Sequence, residues 1–166
     1  MEHDKHTKSN ELQQAIDLGL PSGTRWASCN VGAKRPEGIG EYFTWEDRID
    51  AIHIECGDGW HLPTLDNIQE LLKNCIHEWT SVNGVDGRLF TSKINGNSIF
   101  LPAAGNKYDD KTFYKDCRGY YWSDSPCDDN HMAHTLFFFA GNAYASNCYR
   151  DRWQSVRLVR KKRPML

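Results

Sequence analysis

Few of the histidine, cysteine and carboxylate side chains of this chain are spaced as they are in known catalytic motifs. The sequence contains no G-x-S-x-G nucleophile elbow, no P-loop, no dinucleotide-binding glycine fingerprint and no H-E-x-x-H helix. Each of those motifs places a nucleophile, a phosphate cradle or a metal ligand beside a substrate. We therefore predict that the chain has no catalytic residues and is not an enzyme.

Two sets of histidines have side chains that can bind a transition metal. His53, Cys56 and His61 offer nitrogen and sulfur ligands for zinc, but their spacing matches no closed zinc site. His131 and His134 lie three residues apart, a spacing that suits two metal ligands only on a helix. They stand between a polar loop and a predicted strand, so we expect both to face solvent.

Oxygen ligands for calcium are available around residues 128–130 (Asp-Asp-Asn), with Asp124 nearby. No Asp-x-Asp-x-Asp-Gly loop follows them, and neither a Glu-Pro-Asn nor a Gln-Pro-Asp sugar-binding motif is present. A calcium-dependent lectin remains an alternative reading of this acidic segment. Our prediction is that the protein uses no metal and no cofactor.

The six cysteines do not form a metal or redox motif. No C-x-x-C pair occurs, which removes the common zinc and thioredoxin-type patterns, and an even count alone does not define a disulfide framework. We expect free, partly buried thiols. The cysteines are Cys29, Cys56, Cys75, Cys117, Cys127 and Cys148.

The segment from Ser123 to Trp153 has the composition of a binding surface. Its part 143–153 (AYASNCYRDRW) contains too few aliphatic residues to form core, yet it carries Tyr144, Tyr149 and Trp153. Tyrosine and tryptophan among small polar residues are typical of antibody binding loops, since they give contact area at low entropic cost. The alternative is a surface loop without a function.

One helix is predicted over residues 65–74. Leu65, Ile68, Leu71 and Leu72 recur at helical spacing on one face. Thr64 is the expected N-cap, since its hydroxyl can accept a hydrogen bond from a free backbone N–H of the first turn.

The rest of the chain is predicted to form short strands joined by turns and long loops, an α+β plan. Loops are expected at 30–41 and 46–59, and turns at 82–84, 85–87 and 94–96. Strands or extended segments are predicted at 15–20, 24–27, 41–45, 88–91, 98–101, 119–122, 135–139 and 155–159.

Length and charge point to one domain without a nucleic-acid partner. The chain has 166 residues and a net charge of −2, and its only basic cluster is the short run 160–163. No apolar run approaches the roughly 20 residues that span a bilayer, and the polar start lacks a signal-peptide core. The expected organisation is a polar tail (1–14), one domain (15–160) and a basic tail (161–166).

Five segments together resemble the Fibrobacter succinogenes major paralogous domain family, abundant in gut Bacteroidetes. They occur in the family's order and cover nearly all of the chain from residue 15. The segments are 15–33 (AIDLGLPSGTRWASCNVGA), 59–64 (GWHLPT), 97–105 (NSIFLPAAG), 119–123 (GYYWS) and 155–159 (SVRLV). This resemblance implies a C-type-lectin-like fold of the formylglycine-generating-enzyme branch, with two small sheets, flanking helices and a surface built by loops. It leaves a formylglycine-generating-type oxidase as a further alternative, although the reactive cysteine pair of that branch has no match here.

Some members of this branch are variable proteins of diversity-generating retroelements, in which asparagine codons of the AAC type mutate to other codons ending in C. The resemblance implies that twelve residues occupy the variable positions. Each is of a type that this mutation of asparagine codons can produce: Asp124, Cys127, Asp128, Asp129, His131, His134, Tyr144, Ser146, Asn147, Cys148, Tyr149 and Asp151. Trp153 and Gln154 depart from the pattern, which indicates that this corner is scaffold or locally divergent. We count Trp153 with the twelve as a candidate ligand-binding residue because of its aromatic side chain.

The resulting expectation is an adhesin or variable domain that binds a protein or a glycan through residues 124–153. It would be displayed on a cell surface or a phage particle. We expect no nucleic-acid partner and no membrane-spanning segment.

Overall fold

A computed structural model describes residues 13–55 and 59–161 of the chain. This part contains the helices α1 (Arg48–Glu55) and α2 (Leu65–Asn74). Its strands are β1 (Ala15–Ile16), β2 (Thr24–Ala27), β3 (Cys75–Val82), β4 (Val85–Ser92), β5 (Ser98–Pro102), β6 (Asn106–Tyr108), β7 (Lys111–Phe113), β8 (Gly119–Pro126), β9 (Met132–Phe138), β10 (Ala143–Tyr149) and β11 (Val159–Lys161).

The strands form four small antiparallel sheets with the orders β1-β2-β11, β3-β4-β5, β6-β7 and β10-β9-β8. Mostly short antiparallel strands with two helices make the described part an α+β structure, which confirms the predicted class. Neither helix is long and apolar enough to cross a membrane.

Helix α2 begins and ends as the sequence predicts. The Thr64 hydroxyl accepts a hydrogen bond from the backbone N–H of Asn67, and the Asn67 side chain accepts one from the backbone N–H of Thr64. This capping box satisfies two backbone donors that would otherwise lack partners. Ile68 and Leu71 are fully buried, and the helix packs across β8, β9 and β10.

Helix α1 corrects the prediction that residues 46–59 form a loop. Of residues 48–54 only Ala51 is fully buried, whereas Ile49 and Ile54 are largely exposed. The helix therefore lacks the continuous apolar stripe by which an amphipathic helix is recognised in a sequence. Cys56 lies outside the described residues.

Three smaller sequence predictions are wrong in their bounds. Residues 85–87 are not a turn, because β4 begins at Val85 and the turn is made by Asn83 (φ 49°) and Gly84 (φ 81°). Residues 155–159 enter a regular strand only at Val159, and of the buried residues 155–158 before it Ser155 alone forms an isolated bridge, to Tyr121. The predicted strand 15–20 ends at Ile16.

Two hydrophobic cores lie on opposite faces of the β8–β9–β10 sheet. The first joins α2 to this sheet through residues such as Leu71, Leu136 and Phe138. The second contains Trp45, Trp122 and Ala133, together with residues from the C-terminal segment. This double burial holds the sheet rigidly from both sides.

A fully buried arginine links the segments around the second core. The Arg157 guanidinium donates hydrogen bonds to the Asn30 side chain (2.9 Å) and to the backbone carbonyls of Ala27 (3.1 Å), Pro36 (3.4 Å) and Phe100 (2.7 Å). Asn30 in turn donates to the Tyr121 hydroxyl (3.0 Å). Burial lowers the pKa of Arg157 from its ordinary value, but these acceptors hold the cation in place.

Candidate binding surface

The sheet β10-β9-β8 positions most of the candidate ligand-binding residues. Strand β9 lies in the middle, and within the described chain β10 pairs with β9 alone. Tyr149 pairs with Met132 at one end of this ladder, and Ala143 pairs with Phe138 at the other. The side chains of neighbouring pairs point alternately to the two faces of the sheet.

Residues 143–153 are largely a strand, although their composition resembles that of a binding loop. Strand β10 takes up Ala143–Tyr149, and only the residues after it form a turn. The correction has a physical reason: tyrosine favours strands, and an edge strand tolerates small polar residues on its open sides. The surface is therefore built on a regular element with a defined direction for each side chain.

All of the candidate ligand-binding residues lie outside the buried cores. Those that are exposed are Asp124, Asp128, Asp129, His131, Tyr144, Asn147, Tyr149, Asp151 and Trp153. Those that are half-buried are Cys127, His134, Ser146 and Cys148. Gln154, which departs from the codon pattern, is fully buried and accepts a hydrogen bond from Thr135, as a scaffold residue would.

The candidate residues of β10 are divided between the two faces of the sheet. Cys148 packs partly against the second core, so Tyr144, Ser146 and Cys148 share that face. Ala145 packs against the first core, so Asn147, which pairs with His134, belongs to the face of α2. The residues do not form one flat patch on one face. They surround the free edge of β10.

Four candidate residues meet in one open groove at the end of β10. The groove has a volume of about 770 Å³. Its lining residues are Thr44, Glu46, Asp129, Asn130, His131, Tyr149, Arg150 and Asp151. The structure thus brings together Asp129, His131, Tyr149 and Asp151, which come from two separate loops and one strand.

The arginine of this groove is held by scaffold residues. The Arg150 guanidinium lies 4.2 Å from the centre of the Trp45 ring, and its Nε donates to the carbonyl of Met132 (2.9 Å). Asp151 accepts a hydrogen bond from Arg152 (2.6 Å). These contacts orient the groove without burying its carboxylates.

Asp124 is separated from that groove and belongs to another one, of about 460 Å³, beside the start of α2. Its carboxylate accepts a hydrogen bond from Arg48 Nε (2.7 Å), and the Arg48 guanidinium lies 3.5 Å from the centre of the Trp45 ring. Arg48 is thus a link between Asp124 and the scaffold. Trp45 itself is fixed by a hydrogen bond from its ring N–H to the carbonyl of Ser123 (2.9 Å).

Of the cysteines in the described part of the chain, Cys75, Cys117, Cys127 and Cys148 are free thiols. Burial raises the pKa of Cys127 and of Cys148, which keeps both thiols protonated. Burial also raises the pKa of Cys75, to about 11. Within residues 13–55 and 59–161, no three His, Cys, Asp or Glu side chains are placed to hold a metal ion together.

Comparisons with known proteins give no identification. No family model, curated protein or solved structure matches this chain.

An aromatic cluster beside the candidate residues was missed by sequence reasoning. The Tyr144 ring lies 5.4 Å from Phe137, and Phe137 lies 5.9 Å from Phe139. Arg118 donates a hydrogen bond to the Tyr120 hydroxyl (3.2 Å) and stacks 3.9 Å from the centre of the Tyr114 ring. Exposed Phe113, Phe139 and Tyr144, together with Tyr114, make this a largely open aromatic surface.

A second arginine and a neighbouring hairpin extend the aromatic surface. The Arg152 guanidinium lies 3.8 Å from the Tyr108 ring and 5.4 Å from the Tyr149 ring. Tyr108 stands at the tip of the β6–β7 hairpin, whose turn residues Asp109 and Asp110 both have positive φ. Aspartate tolerates positive φ better than most residues, so the pair Asp109–Asp110 is a sequence signal for this turn. Its placement beside β10 could not be read from the sequence.

Proposed function

We propose that this protein is a binding domain that recognises a protein or a glycan through the surface around β10. The surface consists of the candidate residues of 124–153 and of the aromatic residues on the β6–β7 hairpin. Its scaffold is the sheet β10-β9-β8, which both hydrophobic cores support. In this proposal the chain performs no catalysis.

One observation carries the proposal: the exposed aromatic residues of the described chain are concentrated on this surface. Tyr108, Phe113, Tyr114, Phe139, Tyr144, Tyr149 and Trp153 are between 37% and 52% exposed. Aromatic residues and arginine are enriched among the residues that contribute most of the binding energy in protein interfaces. Soluble monomers seldom leave a large apolar surface of this kind without a partner.

The resemblance of the sequence motifs supports a more specific version of the proposal. In this version the α+β structure is a C-type-lectin-like fold, and the residues around β10 are diversified by a retroelement. The twelve candidate variable residues lie outside the buried cores, so replacing them would leave the packing of the scaffold nearly unchanged. Display on a cell surface or a phage particle follows from the same resemblance.

The binding proposal is tested by a comparison of the parent chain with a surface variant. In the variant, five residues are replaced by alanine: Tyr144, Ser146, Asn147, Tyr149 and Asp151. Both proteins are labelled and applied to a glycan array and to a library of surface-displayed proteins. We expect the parent to bind a small set of spots or clones and the variant to lose them, since exposed tyrosines supply much of an interface energy.

A matched control changes surface residues away from the candidate surface. Glu78 on β3 and Lys93 in the turn after β4 are both exposed, and their replacement by alanine should leave binding unchanged. Equal binding by the parent and the five-alanine variant would contradict the proposal. The retroelement is tested separately, by the presence of a reverse transcriptase gene and an imperfect repeat of the 3′ coding end in the neighbouring DNA.

A further inference from the structure

The free edge of β10 carries backbone groups that have no partner in the described chain. Arg150 N–H donates to the carbonyl of His131, and Phe139 N–H donates to the carbonyl of Asn142. In an antiparallel pair only every second residue of a strand exchanges backbone hydrogen bonds with the neighbouring strand. These two bonds show that in β10 the even-numbered residues direct their N–H and C=O groups to β9. The N–H and C=O groups of Ala145 and Asn147 therefore point away from the sheet.

No described residue donates to or accepts from the backbone groups of Ala145 and Asn147. Proteins usually protect such an edge with a lysine, a proline, an inward-pointing charge or a bulge. The seven residues of β10 include no charged residue and no proline, and the β9–β10 pairing has no register shift. Strand β10 is an open edge that can accept a further strand.

The division of the candidate residues between two faces adds a geometric argument. Tyr144, Ser146 and Cys148 lie on one face, and Asn147 with His134 lies on the other. A ligand that docks flat on either face reaches only one of these sets. A ligand that lies along the edge of β10 reaches both, because its own side chains alternate between the faces.

We propose that an extended peptide segment of a protein ligand pairs with β10 as a fourth strand of the sheet β10-β9-β8. The inference rests on the proposed binding function and names its ligand class and its mode. The segment forms four backbone hydrogen bonds, two at Ala145 and two at Asn147. Its side chains supply the specificity and its backbone supplies sequence-independent affinity.

The two faces predict the side chains of the segment. On the face of Tyr144 the neighbouring ring is Phe137, at 5.4 Å, so an apolar or aromatic side chain is favoured there. On the opposite face the neighbours are His134 and Asn147, so a polar side chain is favoured. The absence of charge on β10 favours a segment that is uncharged where it pairs.

The test uses a library of random linear peptides displayed on phage and selected on the full chain. An enriched peptide is synthesised with a fluorescent label, and its Kd is measured by anisotropy. Asn147→Pro removes the outward N–H, a substitution that an edge strand accepts, whereas Asn147→Ala removes the same side chain but retains the N–H. We expect Asn147→Pro to bind about tenfold or more weakly than Asn147→Ala, because backbone hydrogen bonds are lost.

A second measurement does not depend on the folding of the proline variant. Amide hydrogen exchange of the parent chain should show rapid exchange at Ala145 and Asn147, and strong slowing at both amides when the selected peptide is added. Enriched sequences should alternate apolar and polar residues with a period of two.

The outcomes separate this inference from the proposed function. If Tyr144→Ala and Tyr149→Ala abolish peptide binding while Asn147→Pro matches Asn147→Ala, the surface binds but the added strand is wrong. If the two tyrosine variants also bind normally, the proposed function fails at this surface. Selection of no peptide overturns the inference. So does concentration-dependent dimerisation that Asn147→Pro abolishes, since a second copy would then occupy the edge.

Discussion

Replacing five surface residues should destabilise the protein less than replacing one core residue, although the five substitutions remove more atoms. The surface variant carries alanine at Tyr144, Ser146, Asn147, Tyr149 and Asp151. The core variant is Leu71→Ala, in which a single side chain is shortened. If β10 displays its side chains, the single core substitution destabilises the protein more than all five surface substitutions together.

The magnitudes follow from burial and contacts. Leu71 is 0% exposed and packs in the first core with Ile68 and Leu136, so its truncation should cost about 3–5 kcal/mol through lost burial and a cavity. Tyr144 is 43% exposed and Tyr149 is 52% exposed, and surface substitutions usually change stability by no more than about 0.5 kcal/mol each. The ion pair of Asp151 with Arg152 is also exposed and contributes less than about 1 kcal/mol. For the five substitutions we expect a total of about 1–2 kcal/mol.

The assay is equilibrium unfolding in urea, followed by tryptophan fluorescence, with the parent and both variants measured together. Equal m-values would show that the three proteins unfold over the same surface. A five-alanine variant that loses as much free energy of unfolding as Leu71→Ala would refute the reasoning, because β10 would then be part of the structural core.

Four further outcomes can be measured. Arg157→Ala should cost about 3–5 kcal/mol in a denaturant melt, since four hydrogen-bond acceptors lose their donor and a cavity opens, and a loss below about 1 kcal/mol would contradict the role assigned to this network. Burial, with smaller contributions from Arg88 and Lys93, lowers the pKa of His77 below its ordinary 6.5, so the unfolded chain binds the proton first. The free energy of unfolding should therefore fall as the pH drops below 6.5, and His77→Asn should show a smaller decrease than the parent. Exposed Cys117 should react with iodoacetamide in the native protein, as read by mass spectrometry, whereas Cys75, with its pKa raised to about 11, should react only after unfolding. Chelation with EDTA should leave the Tm unchanged, and a fall of several degrees that calcium reverses would favour the lectin alternative.

Much of the local structure was predictable because it depends on neighbours in the chain. Helix α2 has its apolar face and its N-cap within residues 64–74, and both were found where the pattern predicted them. The turn at Asn83–Gly84 likewise reflects residues that accept positive φ. Helix α1 could not be predicted, since among residues 48–54 only Ala51 is fully buried and the contact of Arg48 with Trp45 is not encoded in a periodic pattern.

The surface character of residues 144–153 was set by composition alone, whereas the stretch before them also contains core residues such as Leu136 and Phe138. Polar and aromatic residues without aliphatic neighbours cannot form a core, so their exposure follows from the sequence. Their arrangement does not, because it depends on which strand pairs with which. The pairing of β10 with β9 places Tyr144 and Asn147 on opposite faces, and the sheet order leaves the backbone of Ala145 and Asn147 at an open edge. These features arise from contacts between residues that are distant in the chain, and only the tertiary structure decides them.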